Sequence, residues 1–144
     1  MKLDDLGYPN PLYILAFDHR ATFATELFKK KSKDLSEEEK ELIREFKMLI
    51  YKGFKKAVDE KIPQRNAAIL CDEEYGEEVL MDAKHNGIIT ILTIEKSGQD
   101  VFDFQYEDYK NHIEKFRPNF TKVLIKYNPK DAEEIKALQQ KNLK

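Results

Sequence analysis

The sequence predicts an α/β fold: four strands in one parallel sheet, joined by crossover helices. Three observations predict it. Short, nearly continuous apolar runs recur four times, near residues 12–17, 67–71, 88–94 and 121–127, as strands buried on both faces require. Between them lie stretches whose apolar residues recur at three- and four-residue intervals, the pattern of amphipathic helices. No Pro/Gly/Ser-rich linker, low-complexity tract or sequence repeat interrupts the 144 residues, so they are read as one domain. Strand and helix in strict alternation imply parallel strands.

The first strand, Leu12 to Phe17, is introduced by Pro9 and Pro11 and ends in Asp18-His19-Arg20. Ala21 to Lys31 can form a short helix with Phe23, Leu27 and Phe28 on one side, and the basic run Lys29, Lys30, Lys31 and Lys33 reads as a solvated loop. Ser36-Glu37-Glu38-Glu39 is a capping box, in which Ser36 and Glu39 each satisfy the other's backbone N–H. Behind it Leu42, Ile43, Phe46, Leu49, Ile50, Phe54, Ala57 and Val58 form the apolar stripe of a long helix, closed by Pro63. The second strand, Ala67 to Cys71, ends in Asp72-Glu73-Glu74. A helix through Val79, Leu80 and Ala83 follows, stopped by Asn86-Gly87. The third strand, Ile88 to Ile94, ends in Glu95-Lys96-Ser97-Gly98-Gln99-Asp100. Phe102 to Tyr106 is a loop with aromatic anchors, and Asp108 to Phe116 a helix. The fourth strand, Thr121 to Tyr127, ends at Asn128-Pro129, and a last helix from about Asp131 carries Ile135, Leu138 and Leu143.

Composition removes several function classes. Lys+Arg 25 against Asp+Glu 27 gives a net charge of -2, so no one-sign field steers nucleic acid or an anionic membrane to the chain. Hydrophobic residues at 41%, with Phe 9 and Tyr 7, suffice for a core. The single cysteine, Cys71, excludes an internal disulfide framework. The acidic start Met1-Lys2-Leu3-Asp4-Asp5 lacks a signal-peptide pattern, and the longest apolar run is too short for a bilayer, so a cytoplasmic location is expected.

Chemistry is expected at the strand ends, because ligands in parallel α/β folds gather beyond the carboxyl ends of the strands. All four ends carry ionisable groups. Asp18, His19 and Arg20 follow the first, Asp72 and Glu73 the second, Glu95, Lys96 and Ser97 the third. On the fourth, alternation puts Lys122 and Lys126 on one face with Leu124. A lysine on a buried strand is costly unless paired, which suggests an anion-binding or Schiff-base environment with Asp18, Asp72 and Glu95 as partners. The other reading is a set of ion pairs that hold loops. Ser97-Gly98 could cradle a phosphate through backbone N–H groups. Cys71 reads as a core residue, and His85 and His112 as helix-surface residues without metal-ligand spacing, although Asp72, Glu73 and Glu95 could still hold a divalent ion. No cofactor motif is present.

The segments Leu12 to Arg20, Ile69 to Gly76, Glu95 to Asp100 and Lys122 to Pro129 together resemble one family in order and spacing. It is the aldolase-type barrel domain fused to 5-dehydro-2-deoxygluconokinase in bacterial inositol catabolism, and more distantly tagatose-bisphosphate aldolase, a class I enzyme. The resemblance implies half of a (β/α)8 aldolase-type barrel, a carbon–carbon lyase ancestry and a sugar-phosphate ligand. Asp18, Glu95 and Lys122 match the family's acidic first-strand end, the glutamate after its third strand and an inward lysine on its fourth, and the resemblance implies that these three would be the catalytic residues. His19, Arg20, Asp72, Glu73, Lys96, Ser97 and Lys126 would contact substrate. The relatives' Schiff-base lysine lies on a sixth strand, outside these four units. A complete barrel needs more than about 200 residues.

Half a barrel leaves the first and fourth strands as open edges and its inner face, with Leu12, Ile14, Ala16, Leu70 and Ile91, open to water. That predicts self-association or a complementing half-barrel. Two rival readings remain: a non-catalytic binding or assembly module with an open α/β sheet, and a doubly wound signalling module with Asp18, Asp72 and Lys126 as its pocket.

Overall fold

The computed structural model describes residues 8–141, which leaves Met1 to Asp5 and Leu143 outside. Within that range the chain is a mixed α/β structure of four strands and five α-helices, consistent with half of a β/α barrel. The strands are β1 (Tyr13–Ala16), β2 (Ala67–Cys71), β3 (Ile89–Thr93) and β4 (Phe120–Lys122). The helices are α1 (Ala21–Phe28), α2 (Glu37–Lys61), α3 (Glu77–His85), α4 (Tyr109–Phe116) and α5 (Glu133–Gln140). All three strand pairings are parallel, in the order β1-β2-β3-β4. No described helix is long and apolar enough to cross a membrane.

Alternation along the strands builds two faces. Phe17, Ile69, Cys71, Leu92 and Ile94 point to the helices and pack with Val79, Leu80, Ala83 and Phe116. Ala68, Ile89 and Ile91 occupy the other face, flanked by Leu12, Leu70 and Phe120. This inner face is less open than the sequence suggests. Ile91 is buried and Leu12 and Leu70 are half-buried, while Ile14, at 49% exposure, and Ala16 remain accessible. Neighbouring strands shield β2 and β3 on both sides, whereas β1 is an edge.

The capping box forms as predicted: Glu39 N donates to Ser36 Oγ at 3.3 Å, and Ser36 N to Glu39 Oε2 at 2.8 Å. The stripe behind it is turned. Ile43, Lys47 and Tyr51 face inward, while Leu42, Phe46, Leu49 and Ile50 are 37–65% exposed. Apolar spacing cannot choose between overlapping faces of a long helix. Here the choice is set by Lys47, whose ammonium is held inside by Asp72 and by Phe17 O at 2.8 Å.

The fourth strand is shorter than the predicted 121–127. Ile94 N still donates to Lys122 O at 3.1 Å, but Lys96 N then donates to Asp103 O and Gln105 N to Ile94 O, both at 2.9 Å. The 103–105 segment therefore occupies the β3 edge that residues beyond Lys122 would have needed. At the other end of the helical layer, Asn86-Gly87 stops α3 as expected: Gly87 has φ 69°, and Ile88 N donates to Ala83 O at 2.9 Å.

Gly76, at the start of α3, lies where a Cβ would meet Cys71 Sγ and sit 2.6 Å from Asp72 O. Backbone oxygen cannot yield as a flexible side chain can. Gly76→Ala is therefore expected to lower stability by about 1–3 kcal/mol, read from the urea midpoint. An unchanged midpoint would show that this turn can relax.

Candidate functional site

The inward positions of β1, β3 and β4 converge just past the strand ends. Asp18 follows β1, Thr93 and Glu95 alternate along β3 and beyond it, and Lys122 closes β4. Thr93 Oγ1 donates to Asp18 Oδ2 at 2.9 Å, Lys122 Nζ donates to the same oxygen at 2.9 Å, and Lys122 also donates to Glu95 Oε1. On a flat sheet the β1 and β4 ends would lie about 14 Å apart, three strand spacings. The direct Asp18–Lys122 contact thus needs a sheet curled as in a barrel.

Burial works against Asp18 as an anion, but the hydrogen bonds from Lys122 and Thr93 outweigh it and hold its carboxyl below the usual value of 3.8. Burial likewise works against the Lys122 ammonium, and its hydrogen bonds to Glu95 and Asp18 outweigh that, raising it above 10.5. The signs define a pH window. Asp18's contribution to stability is present above pH 3.8 and lost as pH falls through its lower folded value; that of Lys122 is present below pH 10.5 and lost as pH rises through its higher one. Asp18→Asn is expected to flatten the acid limb of the stability–pH curve. An acid limb identical to that of the parent chain would contradict the pairing.

A cleft of about 290 Å³ opens over this triad. Eight of the ten sequence-predicted residues line it: Asp18, His19, Arg20, Glu95, Lys96, Ser97, Lys122 and Lys126. One wall is the turn at Ser97 and Gly98 (φ 73°), carried by the hairpin that pairs Glu95 with Phe104. Aromatic anchors fix that hairpin, with Phe104 stacked on Tyr109 at 4.0 Å and edge-on to Phe102 at 5.1 Å. Lys126 bonds Asp100 at 2.8 Å in an exposed pair, which solvent screens.

Asp72 and Glu73 do not line the cleft. Asp72 is sealed with Lys47, both side chains at 0% exposure, and its Oδ1 accepts from Tyr75 N at 2.9 Å. Glu73 turns to a second buried cluster, 3.7 Å from Arg20 Nη1 and 3.7 Å from His112 Nε2. Burial raises the Glu73 carboxyl, and burial with nearby Arg20 and Lys115 lowers His112, which is 9% exposed rather than on a helix surface. Asp72 therefore faces Lys47, Glu73 faces Arg20 and His112, and Glu95 faces Lys122, so the three carboxylates do not converge on a shared ion. Arg20 links the two regions, because its Nη2 also donates to Glu95 O at 2.5 Å. Cys71 is fully buried and burial pushes its thiol up to about 12, as fits a core residue.

Sequence reasoning missed Thr93 and Lys47. Thr93 carried a usable signal, being two residues before Glu95 and so on the same face of β3. Lys47 carried only its i, i+4 spacing from Ile43 and Tyr51.

Comparison with curated proteins finds no match to the chain. The profile of one family, described as "Uncharacterized protein conserved in bacteria (DUF2090)", matches residues 7–144. The whole sheet, the Asp18–Glu95–Lys122 triad and the loop over it fall within that match, and the chain belongs to the DUF2090 family.

Proposed function

We propose that the cleft binds a small phosphorylated polyol, a sugar phosphate of ketose type. The observation that carries this reading is the Lys122 ammonium held between Asp18 and Glu95 at the carboxyl end of a parallel sheet. Such a cluster suits sugar hydroxyls, which can donate to the carboxylates and accept from the ammonium. Lys96, Lys126 and the backbone at Ser97-Gly98 line the same cleft and supply positive charge and N–H donors for a phosphate. The aldolase resemblance of the four strand ends supports the same ligand class.

Binding, rather than bond cleavage, is the role assigned to this chain. Schiff-base formation needs a neutral amine, and the two carboxylates hold Lys122 protonated. Borohydride reduction with a ketose phosphate is expected to leave Lys122 unlabelled; a stable adduct on it would overturn this assignment. Calorimetry at low salt tests the ligand class. The ketose phosphate should bind at least tenfold more tightly than inorganic phosphate or the unphosphorylated sugar. Equal affinity for phosphate alone would reduce the cleft to a general anion site.

A further inference from the structure

We infer that Arg20 is an anion-binding group of the cleft whose charge can be masked: Glu73 lies behind it and cancels the guanidinium, and a proton shared between Glu73 and His112 releases it. The inference rests on the reading of the cleft as a phosphate site and names the regulation of that site.

Arg20 belongs to two regions at once. It lines the cleft beside Asp18, Glu95 and Lys122, and its Nη2 donates to Glu95 O at 2.5 Å. Its Nη1 stands 3.7 Å from Glu73 Oε1. At that distance Glu73 acts on the guanidinium as a charge and not as a hydrogen-bond acceptor. The second Glu73 oxygen, Oε2, stands 3.7 Å from His112 Nε2. All three side chains are 4–6% exposed. Five of their buried atoms have no hydrogen-bond partner among the described residues: Arg20 Nη1, both Glu73 oxygens and both His112 ring nitrogens. Buried polar atoms are normally satisfied, so a cluster with this many open positions is suited to take up a proton. A closing movement of about 1 Å would bring Glu73 Oε2 and His112 Nε2 into hydrogen-bond contact around it.

The charge balance does not depend on which partner holds that proton. Without it, ionised Glu73 and neutral His112 together cancel Arg20. With it, the pair is neutral overall and the guanidinium is uncompensated at the cleft wall. Burial opposes both ions, raising the Glu73 carboxyl and lowering His112, so the carboxyl is the favoured holder.

Other charges around the pair do not replace this one. Asp72 is neutralised by Lys47. Lys115, on the same helix as His112, pairs with Glu77 of α3 at 2.8 Å, and Arg44 of α2 pairs with Glu41 at 2.7 Å. The Tyr106 phenol facing Glu73 is pushed up to about 12 by burial and by that carboxylate, and stays protonated. Glu74 and Asp108 lie nearby but in solvent, where screening weakens them. As pH falls and the pair takes its proton, an anion in the cleft should therefore bind more tightly.

Calorimetry of the full chain with sulfate, from about pH 8 to about pH 5, tests this. Glu73→Gln keeps the position uncharged throughout. At the high end it should bind sulfate at least threefold more tightly than the parent chain, and the difference should close as pH falls. His19 also lines the cleft, but it is common to both chains and cancels in the ratio. Adding Arg20→Gln should abolish the gain, and Arg20→Lys in its place should retain part of it. A second arm needs no variant: by reciprocity, saturating sulfate should raise the titration midpoint of the Glu73 carboxyl, followed by carbon NMR, by about half a pH unit. Glu73→Gln binding no tighter than the parent at high pH, a gain that survives Arg20→Gln, or a midpoint unmoved by sulfate would each overturn the inference. If all three results hold but a ketose phosphate binds no better than sulfate, the ligand class falls and the masking of Arg20 stands.

Discussion

Lys47→Ala is expected to cost about 3–5 kcal/mol, more than Gly76→Ala or any substitution at the cleft. Lys47 and Asp72 are both fully buried, and the ammonium also donates to Phe17 O at 2.8 Å and lies 5.4 Å from the Phe23 ring centroid. Removing the lysine leaves the Asp72 carboxylate in the interior with Tyr75 N as its hydrogen-bond donor, and opens a cavity beneath α2. The double substitution Lys47→Met with Asp72→Asn should recover most of the loss. It removes both charges, keeps the aliphatic volume and leaves an amide oxygen for Tyr75 N. Urea unfolding of the two single variants and the double variant measures this as a coupling energy. A cost below about 1 kcal/mol for Lys47→Ala would show that water reaches Asp72. The pair also affects the site, because Phe17 O, which it fixes, belongs to the residue before Asp18.

Lys122→Met should have the largest effect on binding. The substitution keeps an unbranched stem, one atom shorter than lysine, and removes the charge. Asp18 and Glu95, which share that ammonium, would then face each other as like charges. The expected outcome is at least a tenfold loss of ketose-phosphate affinity, about 1.4 kcal/mol. Asp18 also loses its strongest stabilising hydrogen bond, so its carboxyl should titrate at higher pH than in the parent chain, visible by carbon NMR of the side chain. Retained affinity with a raised Asp18 value would place the ligand elsewhere. A shift in neither would contradict the triad itself.

How far these features could be read from the sequence depended on whether their cause was local. The capping box, the Asn86-Gly87 stop and the parallel strand order follow from residues within one or two turns or from the alternation of elements, and they were legible. Asp18, Glu95 and Lys122 were legible as a group because strand alternation and strand ends determine which way side chains point. The turned face of α2 was not, because five neighbouring apolar residues satisfy two helical faces equally and the decision falls to Lys47, whose partner lies 25 residues away. Asp72 was assigned to the cleft for the same reason, since its competitor for a cation sits on a helix rather than on a strand. The early end of β4 depends on the hairpin at 103–105 taking the β3 edge, a competition between two segments that pattern along one segment does not record.

The central claim is that the Asp18–Glu95–Lys122 cluster and the loop over it form one ligand site. Titration of the labelled chain with a ketose phosphate, followed by amide NMR, tests it most directly. Saturable shifts confined to residues 18–20, 93–98 and 122–126 are the predicted result. Shifts centred instead on Glu73 and His112, or none at millimolar ligand, would contradict it.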